Sequence, residues 1–136
     1  MDLDPEKIRA LAGFRSALRR FLAFSEDAVS EAGITSLQYQ ALLAIKAADG
    51  RIALGVLTRE MLLKANAAVQ MVDRLAAGGL VERSQAPGDR RAVDISLTEK
   101  GDGLATRLIA QHLDQLAKRK KQFADILRQL KQTQGG

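Results

Sequence analysis

Two stretches of the chain carry side chains that could bind a nucleic acid. In the first, Asn66, Gln70 and Arg74 recur every four residues, with Ala67 beside them. This spacing puts the three polar side chains on one face of a helix. Amide and guanidinium groups are the donors and acceptors that pair with base edges in the major groove of DNA. The alternative is an ordinary helix face exposed to water, and these residues alone do not decide between the two.

The second stretch is a basic turn with the sequence Pro87-Gly88-Asp89-Arg90-Arg91. Pro and Gly are the residues favoured at the two central positions of a type II turn. The turn is therefore expected to project Asp89, Arg90 and Arg91 away from the body of the protein, with two cations at its tip. The alternative here is a surface turn with a solvated ion pair.

A helix-turn-helix and a β-hairpin are predicted to hold these two stretches in place. Helical periodicity predicts a short helix at about residues 56–62 and a second helix at about residues 66–77. The strands of the hairpin are predicted at about residues 80–84 and 92–97. The second helix should pack on a core through one apolar stripe, which consists of Ala68, Val69, Val72, Leu75 and Ala76.

Further helices are predicted before this region. The first begins at Pro5, keeps helical periodicity for about 25 residues and ends at Gly33. Such a helix is long for a small domain, so part of its apolar surface should face a second copy of the chain. Thr35 and Gln38 have the spacing of a capping box that starts the next helix. Residues 51–54 are a candidate edge strand.

Length and composition fit one helical domain with a polyanionic partner. The 136 residues are 46% hydrophobic, which is enough for a core, and the net charge of +5 suits a polyanion. There is no run of about 18 apolar residues that would predict a membrane span. The acidic start, MDLDPEK, is unlike a signal peptide. We therefore expect a cytoplasmic protein without a membrane partner.

Patterns typical of enzymes and metal sites are missing from the sequence. It has no cysteine and one histidine, His112, which argues against zinc sites and thiol chemistry. Gly78-Gly79 and Gly101-Asp102-Gly103 lack the flanking residues of a phosphate-binding loop. No Ser, His and Asp are grouped as a triad. The sequence therefore predicts no catalytic site and no cofactor.

The order of these elements, together with two motifs, resembles the MarR family of bacterial transcription regulators. The motifs are DRLAAGGLVER at residues 73–83 and PGDRRAVDISLTEKG at residues 87–101. Within the second, GDRR…SLTEKG is the most recognisable signature of the family. Residues 14–45 also resemble its first two helices, and the resemblance covers roughly residues 8–130. It implies a mainly α fold with a small β-hairpin wing.

The resemblance also implies one domain, residues 1–136, that forms a homodimer. In the family, N- and C-terminal helices intertwine to make the dimer, a role that falls here on residues 5–32 and 103–130. The winged helix-turn-helix lobe, residues 35–101, would bind double-stranded DNA at a pseudo-palindromic operator, usually to repress transcription. Each reading helix lies in a major groove of the DNA, and each wing lies at the adjacent minor groove.

Matching by position to the family assigns roles to single residues. The DNA-binding residues of the reading helix and its approach would be Lys64, Asn66, Ala67, Gln70 and Arg74. Lys64 suits a phosphate contact, and Arg74 suits a phosphate contact or an ion pair with Asp89. In the wing, Asp89 would orient an arginine. Arg90 and Arg91 would contact DNA, one of them in the narrow minor groove.

Small-molecule control is a property of many family members. They release DNA when a phenolic or carboxylate-bearing ligand enters the cleft between the dimer helices and the DNA-binding lobe. The candidate residues for such an effector are Phe14, Arg15, Leu18 and Tyr39.

The reading helix departs from the family pattern in its alanines. Related sequences usually carry polar residues where this one has Ala65, Ala67 and Ala68. Ala67 could still contact thymine methyl groups. The alternative function is that of a winged-helix dimer that acts through protein–protein interaction and reads DNA weakly or not at all.

Overall fold

Helices make up most of the chain, and three short strands form one sheet. The computed structural model describes residues 2–134, without the side chains of Arg90 and residues 132–134. The elements are α1 Pro5–Glu31, α2 Ser36–Ala47, β1 Arg51–Ala53, α3 Leu54–Glu60, α4 Ala65–Ala77, β2 Val81–Ala86, β3 Asp89–Leu97, α5 Glu99–Lys118 and α6 Lys120–Gln134. This order confirms the predicted fold class, a mainly helical chain with a winged helix-turn-helix.

Local sequence signals set the ends of the first helices. At the end of α1, the Ile34 N–H donates to the Val29 carbonyl at 3.1 Å, and Gly33 has a φ of 79°, which favours glycine. At the start of α2, the Gln38 N–H donates to Thr35 Oγ1 at 3.1 Å. The Thr35 N–H donates to Gln38 Oε1 at 2.9 Å in return. Both the helix end at Gly33 and the capping box are as predicted.

The sheet is antiparallel, with the strand order β1-β3-β2. β1 therefore lies at an edge, as predicted. Arg51 on β1 ties the three strands together, because its Nε donates to Asp94 Oδ2 at 2.8 Å and its Nη2 donates to Ser84 Oγ at 3.3 Å. β1 runs directly into α3, which is why α3 begins at Leu54, two residues earlier than expected.

The chain divides into two compact units. One unit comprises residues 29–109, and the other comprises residues 2–28 and 110–134 of the described part. The unit of residues 29–109, which we call the winged unit, has a core of fully buried side chains. They are Leu42, Ile45, Leu57, Val72, Leu75 and Ile95. The other unit, which we call the helical unit, is formed by segments of α1 and α5 together with α6.

Aromatic side chains fill the interior of the helical unit. The rings of Phe14 and Phe123 meet edge to face, with centroids 5.6 Å apart. His112 is buried between Phe21 and Phe24, and its Nε2 lies 2.8 Å from Ser25 Oγ. The only histidine of the chain therefore lies inside a packed helical core.

Candidate nucleic-acid interface

α4 presents a polar face to solvent, at the residues where the sequence predicts one. The side chains of Asn66, Gln70 and Arg74 are exposed, and Ala67 is half-buried. The opposite face packs on the core of the winged unit through Ala68, Met71, Val72 and Leu75. The helix thus combines an anchored face with a face that is open to a partner.

The prediction that Val69 belongs to the buried stripe was wrong. Val69 is 41% exposed, whereas Met71, which the predicted stripe omits, is 4% exposed. Each residue turns the helix by about 100°, so the residue after Ala68 points well away from the core. Val69 instead lies three residues after Asn66 and adds an apolar group to the exposed face. Counting helical angles rather than apolar residues would have placed it there.

The approach to α4 is a tight turn followed by a basic residue. Leu62 has a φ of 56°, a conformation that favours glycine, and its side chain is 93% exposed. The Leu63 N–H closes the turn by donating to the Thr58 carbonyl at 3.1 Å. Lys64 is the N-cap residue of α4, and its side chain is exposed. The positive end of the helix dipole and this ammonium group together favour a phosphate.

The turn of the hairpin is shorter than expected. Only Pro87 and Gly88 connect the strands, and Gly88 has the positive φ, 77°, that the second central position of a type II turn requires. Residues 89–91, which were predicted to form part of the turn, begin β3 instead. The tip is therefore formed by Pro87 and Gly88, and the basic residues follow it along the strand.

The pairing of β2 with β3 changes register beside this turn. Gln85 pairs with Val93, but Ala86 pairs with Asp89. Residues 90–92 therefore stand outside the regular register and form a bulge in β3. Bulges redirect side chains, and they occur frequently next to functional sites.

Within the bulge, Asp89 orders the backbone of Arg91. Its Oδ1 accepts a hydrogen bond from the Arg91 N–H at 2.9 Å. The side chain of Arg91 is exposed. The side chain of Arg90 lies outside the described part of the structure. The hydrogen bond to Arg91 fits the predicted role of Asp89 as an organising residue.

An ion pair joins α4 to the hairpin of β2 and β3. Arg83 of β2 pairs with Asp73 of α4, and its Nη2 also donates to the Val69 carbonyl at 3.4 Å. Arg74, the next residue on α4, is exposed. The partners of this pair come from different elements, so no local pattern in the sequence indicates it.

The segment after β3 holds the other end of α4. Thr98 Oγ1 donates to the Gly79 carbonyl at 2.6 Å, and Lys100 Nζ donates to the Gly78 carbonyl at 3.0 Å. These carbonyls belong to the two residues that follow α4. Both ends of α4 are therefore fixed by contacts within the winged unit.

Gly101 allows this close packing. A β-carbon at this position would lie 1.9 Å from the Leu80 carbonyl oxygen, so only glycine fits. The Gly101 N–H donates to Thr98 Oγ1 at 3.0 Å, which caps the start of α5. The SLTEKG motif thus has a physical role, since it locks the start of α5 against the segment that follows α4.

A groove is lined jointly by α4 and by β3 of the hairpin. It lies between α3, α4 and β3 and has a volume of about 600 Å³. Its lining is mostly apolar and includes Leu54, Val56 and Val69, with Arg59 and Arg91 also contributing. Val69 of α4 and Arg91 of β3 therefore line one surface.

The candidate effector residues lie on two helices. Phe14, Arg15 and Leu18 are on α1, where Arg15 is exposed and the other two are half-buried. Tyr39 is on α2 and is buried, and its burial raises the pKa of the phenol above the ordinary value. The predicted effector role of these residues stays a prediction.

Residues 2–134 contain neither a metal-binding cluster nor a membrane-spanning helix. Within this range, no three His, Asp or Glu side chains are grouped so that they could hold a metal ion. No helix in the same range is long and apolar enough to cross a bilayer.

Known proteins resemble both the sequence and the fold. The protein-family model described as "MarR family" matches residues 32–92 of the sequence. The transcriptional repressor NicR of Pseudomonas putida is 33% identical over 116 residues, which cover 80% of this chain and 70% of NicR. The repressor MdtR of Bacillus subtilis is 32% identical over 76 residues, 56% of this chain and 48% of MdtR. A mutant of MarR from E. coli, solved with operator DNA, has a TM-score of 0.70 and 25% identity, and the match covers 98% of this chain and 99% of that one.

Proposed function

Because the chain belongs to the MarR family of DNA-binding transcription regulators, we propose that it is a homodimeric repressor of a pseudo-palindromic operator. Two of its relatives are named as transcriptional repressors, and the neighbour from E. coli was solved with operator DNA. In this proposal α4 enters the major groove, and the hairpin of β2 and β3 reaches the adjacent minor groove. The residues that contact DNA are Lys64, Asn66, Ala67, Gln70, Arg74, Asp89, Arg90 and Arg91.

The observation that carries the proposal is the shared groove of α4 and the wing. Val69 and Arg91 line it together, although they come from different elements. The polar face of α4 is exposed, and Arg83 fixes the helix against β2. An anchored helix that presents amide groups beside an exposed arginine suits the width and the charge of duplex DNA.

Dimer formation is supported by the surface of the helical unit. Several leucines and isoleucines of this unit are more than half exposed, which is unusual for a face that stays in water. They are Leu3 at 64%, Ile8 at 52%, Leu11 at 54%, Leu22 at 52%, Leu113 at 61%, Leu127 at 66% and Leu130 at 55%. A second copy of the chain would bury them, and its twofold symmetry would explain a pseudo-palindromic operator.

Sedimentation of a charged variant tests the dimer. Leu113→Asp should shift the chain from dimer to monomer, whereas Leu62→Asp, at an exposed leucine of the winged unit, should leave the mass unchanged. A monomeric wild type at micromolar concentration would refute the dimer proposal.

In this proposal, a phenolic or carboxylate-bearing ligand releases the operator. Phe14, Arg15, Leu18 and Tyr39 would line the effector site. A panel of phenolic and carboxylate-bearing compounds should include one that raises the melting temperature and weakens operator binding. If none raises the melting temperature, the chain is a constitutive regulator.

Selection of genomic duplexes with the purified chain tests DNA binding directly. The expected result is an enriched inverted repeat with half-site centres about one helical turn apart. Each phosphate contact should contribute about −0.9 to the slope of log K against log salt concentration. No enriched repeat at moderate salt would favour the alternative, a winged-helix dimer that binds another protein.

A further inference from the structure

The exposed face of α4 is partly apolar, and this restricts the bases it can read. Val69 is 41% exposed, three residues after Asn66, and Ala65 at the start of the helix is also exposed. Val69 also lines the groove with Leu54 and Val56. An apolar surface on a reading helix gains free energy only if the DNA offers an apolar group in return.

The major groove of DNA offers one such group, the methyl group of thymine. On the partner strand, adenine pairs through two hydrogen bonds with the amide of an asparagine or glutamine. Guanine is read chiefly by arginine or lysine, and residues 65–71 contain neither. The first arginine of the helix, Arg74, comes more than two turns after its start.

We propose that the N-terminal half of α4 reads A·T base pairs, with Asn66 or Gln70 on adenine and Val69 against the methyl group of thymine. This inference rests on the proposed DNA binding and adds to it the base composition of the half-site. Val69 becomes a specificity-determining residue, since its side chain selects thymine over cytosine.

The structure holds Val69 in a fixed position for this role. Arg83 donates to its carbonyl and pairs with Asp73, one turn further along α4. The buried neighbours Ala68 and Val72 anchor the same turns in the core. The backbone that carries the isopropyl group is therefore held in place, and valine in a helix strongly prefers one χ1 rotamer.

Replacement of thymine by deoxyuridine in the selected operator tests the inference. The change removes the methyl group and keeps every hydrogen bond of the base pair. Single replacements across one half-site should include at least one that weakens wild-type binding about three- to tenfold, since burial of one methyl group is worth about that factor. The same duplexes are then titrated with Val69→Ala and with Leu43→Ala, whose leucine on α2 is 39% exposed.

Val69→Ala should bind the normal and the deoxyuridine duplexes with equal affinity. Leu43→Ala should bind the deoxyuridine duplex more weakly than the normal one, as the wild type does. If no deoxyuridine replacement weakens wild-type binding, or if selection enriches G·C pairs under α4, the inference is overturned and the proposed function stands. If selection enriches no duplex, both are overturned. The scan with the wild type decides the question even if Val69→Ala fails to fold.

Discussion

Replacing Gly101 by alanine should destabilise the winged unit, whereas the same change at Gly103 should stabilise it. Both glycines lie in the first turns of α5. Gly101 is buried against Leu80, but a β-carbon at Gly103 would meet no atom within 4 Å. The pair therefore separates the effect of close packing from the effect of helix propensity.

The expected magnitudes follow from the geometry. At Gly103, alanine should raise the free energy of unfolding by about 0.5–1 kcal/mol, because glycine is the poorer helix former. At Gly101 the β-carbon would lie 1.9 Å from the Leu80 oxygen, and real separations are at least 3.0 Å. The backbone must therefore move. This movement weakens a second contact, because the same Leu80 oxygen accepts a hydrogen bond from the Thr98 N–H at 3.1 Å. Overpacking of about 1–3 kcal/mol and a weakened hydrogen bond should give a net loss of about 2–3 kcal/mol.

Thermal unfolding followed by circular dichroism measures both changes. A loss of this size should lower the melting temperature of Gly101→Ala by about 10 °C, and Gly103→Ala should melt a few degrees above the wild type. Operator affinity should fall only for Gly101→Ala, because the displaced Leu80 lies just beyond the end of α4. Equal shifts for the two variants would refute the reasoning, since propensity alone would then explain both.

Three other variants probe the wing, the segment after β3 and the turn before α4. Arg91→Ala should weaken operator binding at least tenfold and reduce the salt slope by about 0.9 if it removes a phosphate contact. Arg90→Ala is measured beside it, and wild-type affinity in both would disprove the wing assignment. Thr98→Val removes the hydroxyl that bonds Gly79 and caps α5, so operator affinity should fall about three- to tenfold, and Thr98→Ser should restore it. Thr35→Val removes a comparable cap from α2, and an equal loss of affinity there would mean that stability alone is responsible. Leu62→Gly should raise the melting temperature by a few degrees, because it relieves about 1 kcal/mol of backbone strain; a lower melting temperature would contradict that account.

Features set by a few neighbouring residues could be predicted from the sequence. The capping box of Thr35 and Gln38 and the helix end at Gly33 are local patterns, and both are confirmed. The polar face of Asn66 and Gln70 needs only the helical period, and it is exposed as expected. These signals depend on hydrogen bonds and rotations within one or two turns of chain.

Features that depend on distant partners could not be predicted in the same way. Residues 89–91 have no alternation of apolar and polar side chains, so no local pattern marks them as a strand. The strand depends on distant pairing, in which Asp89 faces Ala86 of β2 and residues 90–92 follow as a bulge. The ion pair of Arg83 with Asp73 requires two elements to be placed side by side. The need for glycine at position 101 depends on the Leu80 carbonyl, which lies 21 positions earlier in the chain.

The sheet is not equally supported along its length. β1 pairs only with residues 94–96 of β3. Between these residues and the turn at Pro87 and Gly88, the sheet therefore consists of two strands, β2 and β3. At about 3.3 Å per residue, the five steps from Asp89 to Asp94 span about 16 Å. A two-stranded ribbon is marginally stable in water by itself, and the bulge at residues 90–92 interrupts its ladder. This part of the hairpin should open without unfolding of the core, so the amide proton of Val93 should exchange with solvent much faster than that of Ile95. Such a compliant ribbon can follow minor grooves of different width, and binding a duplex should slow that exchange.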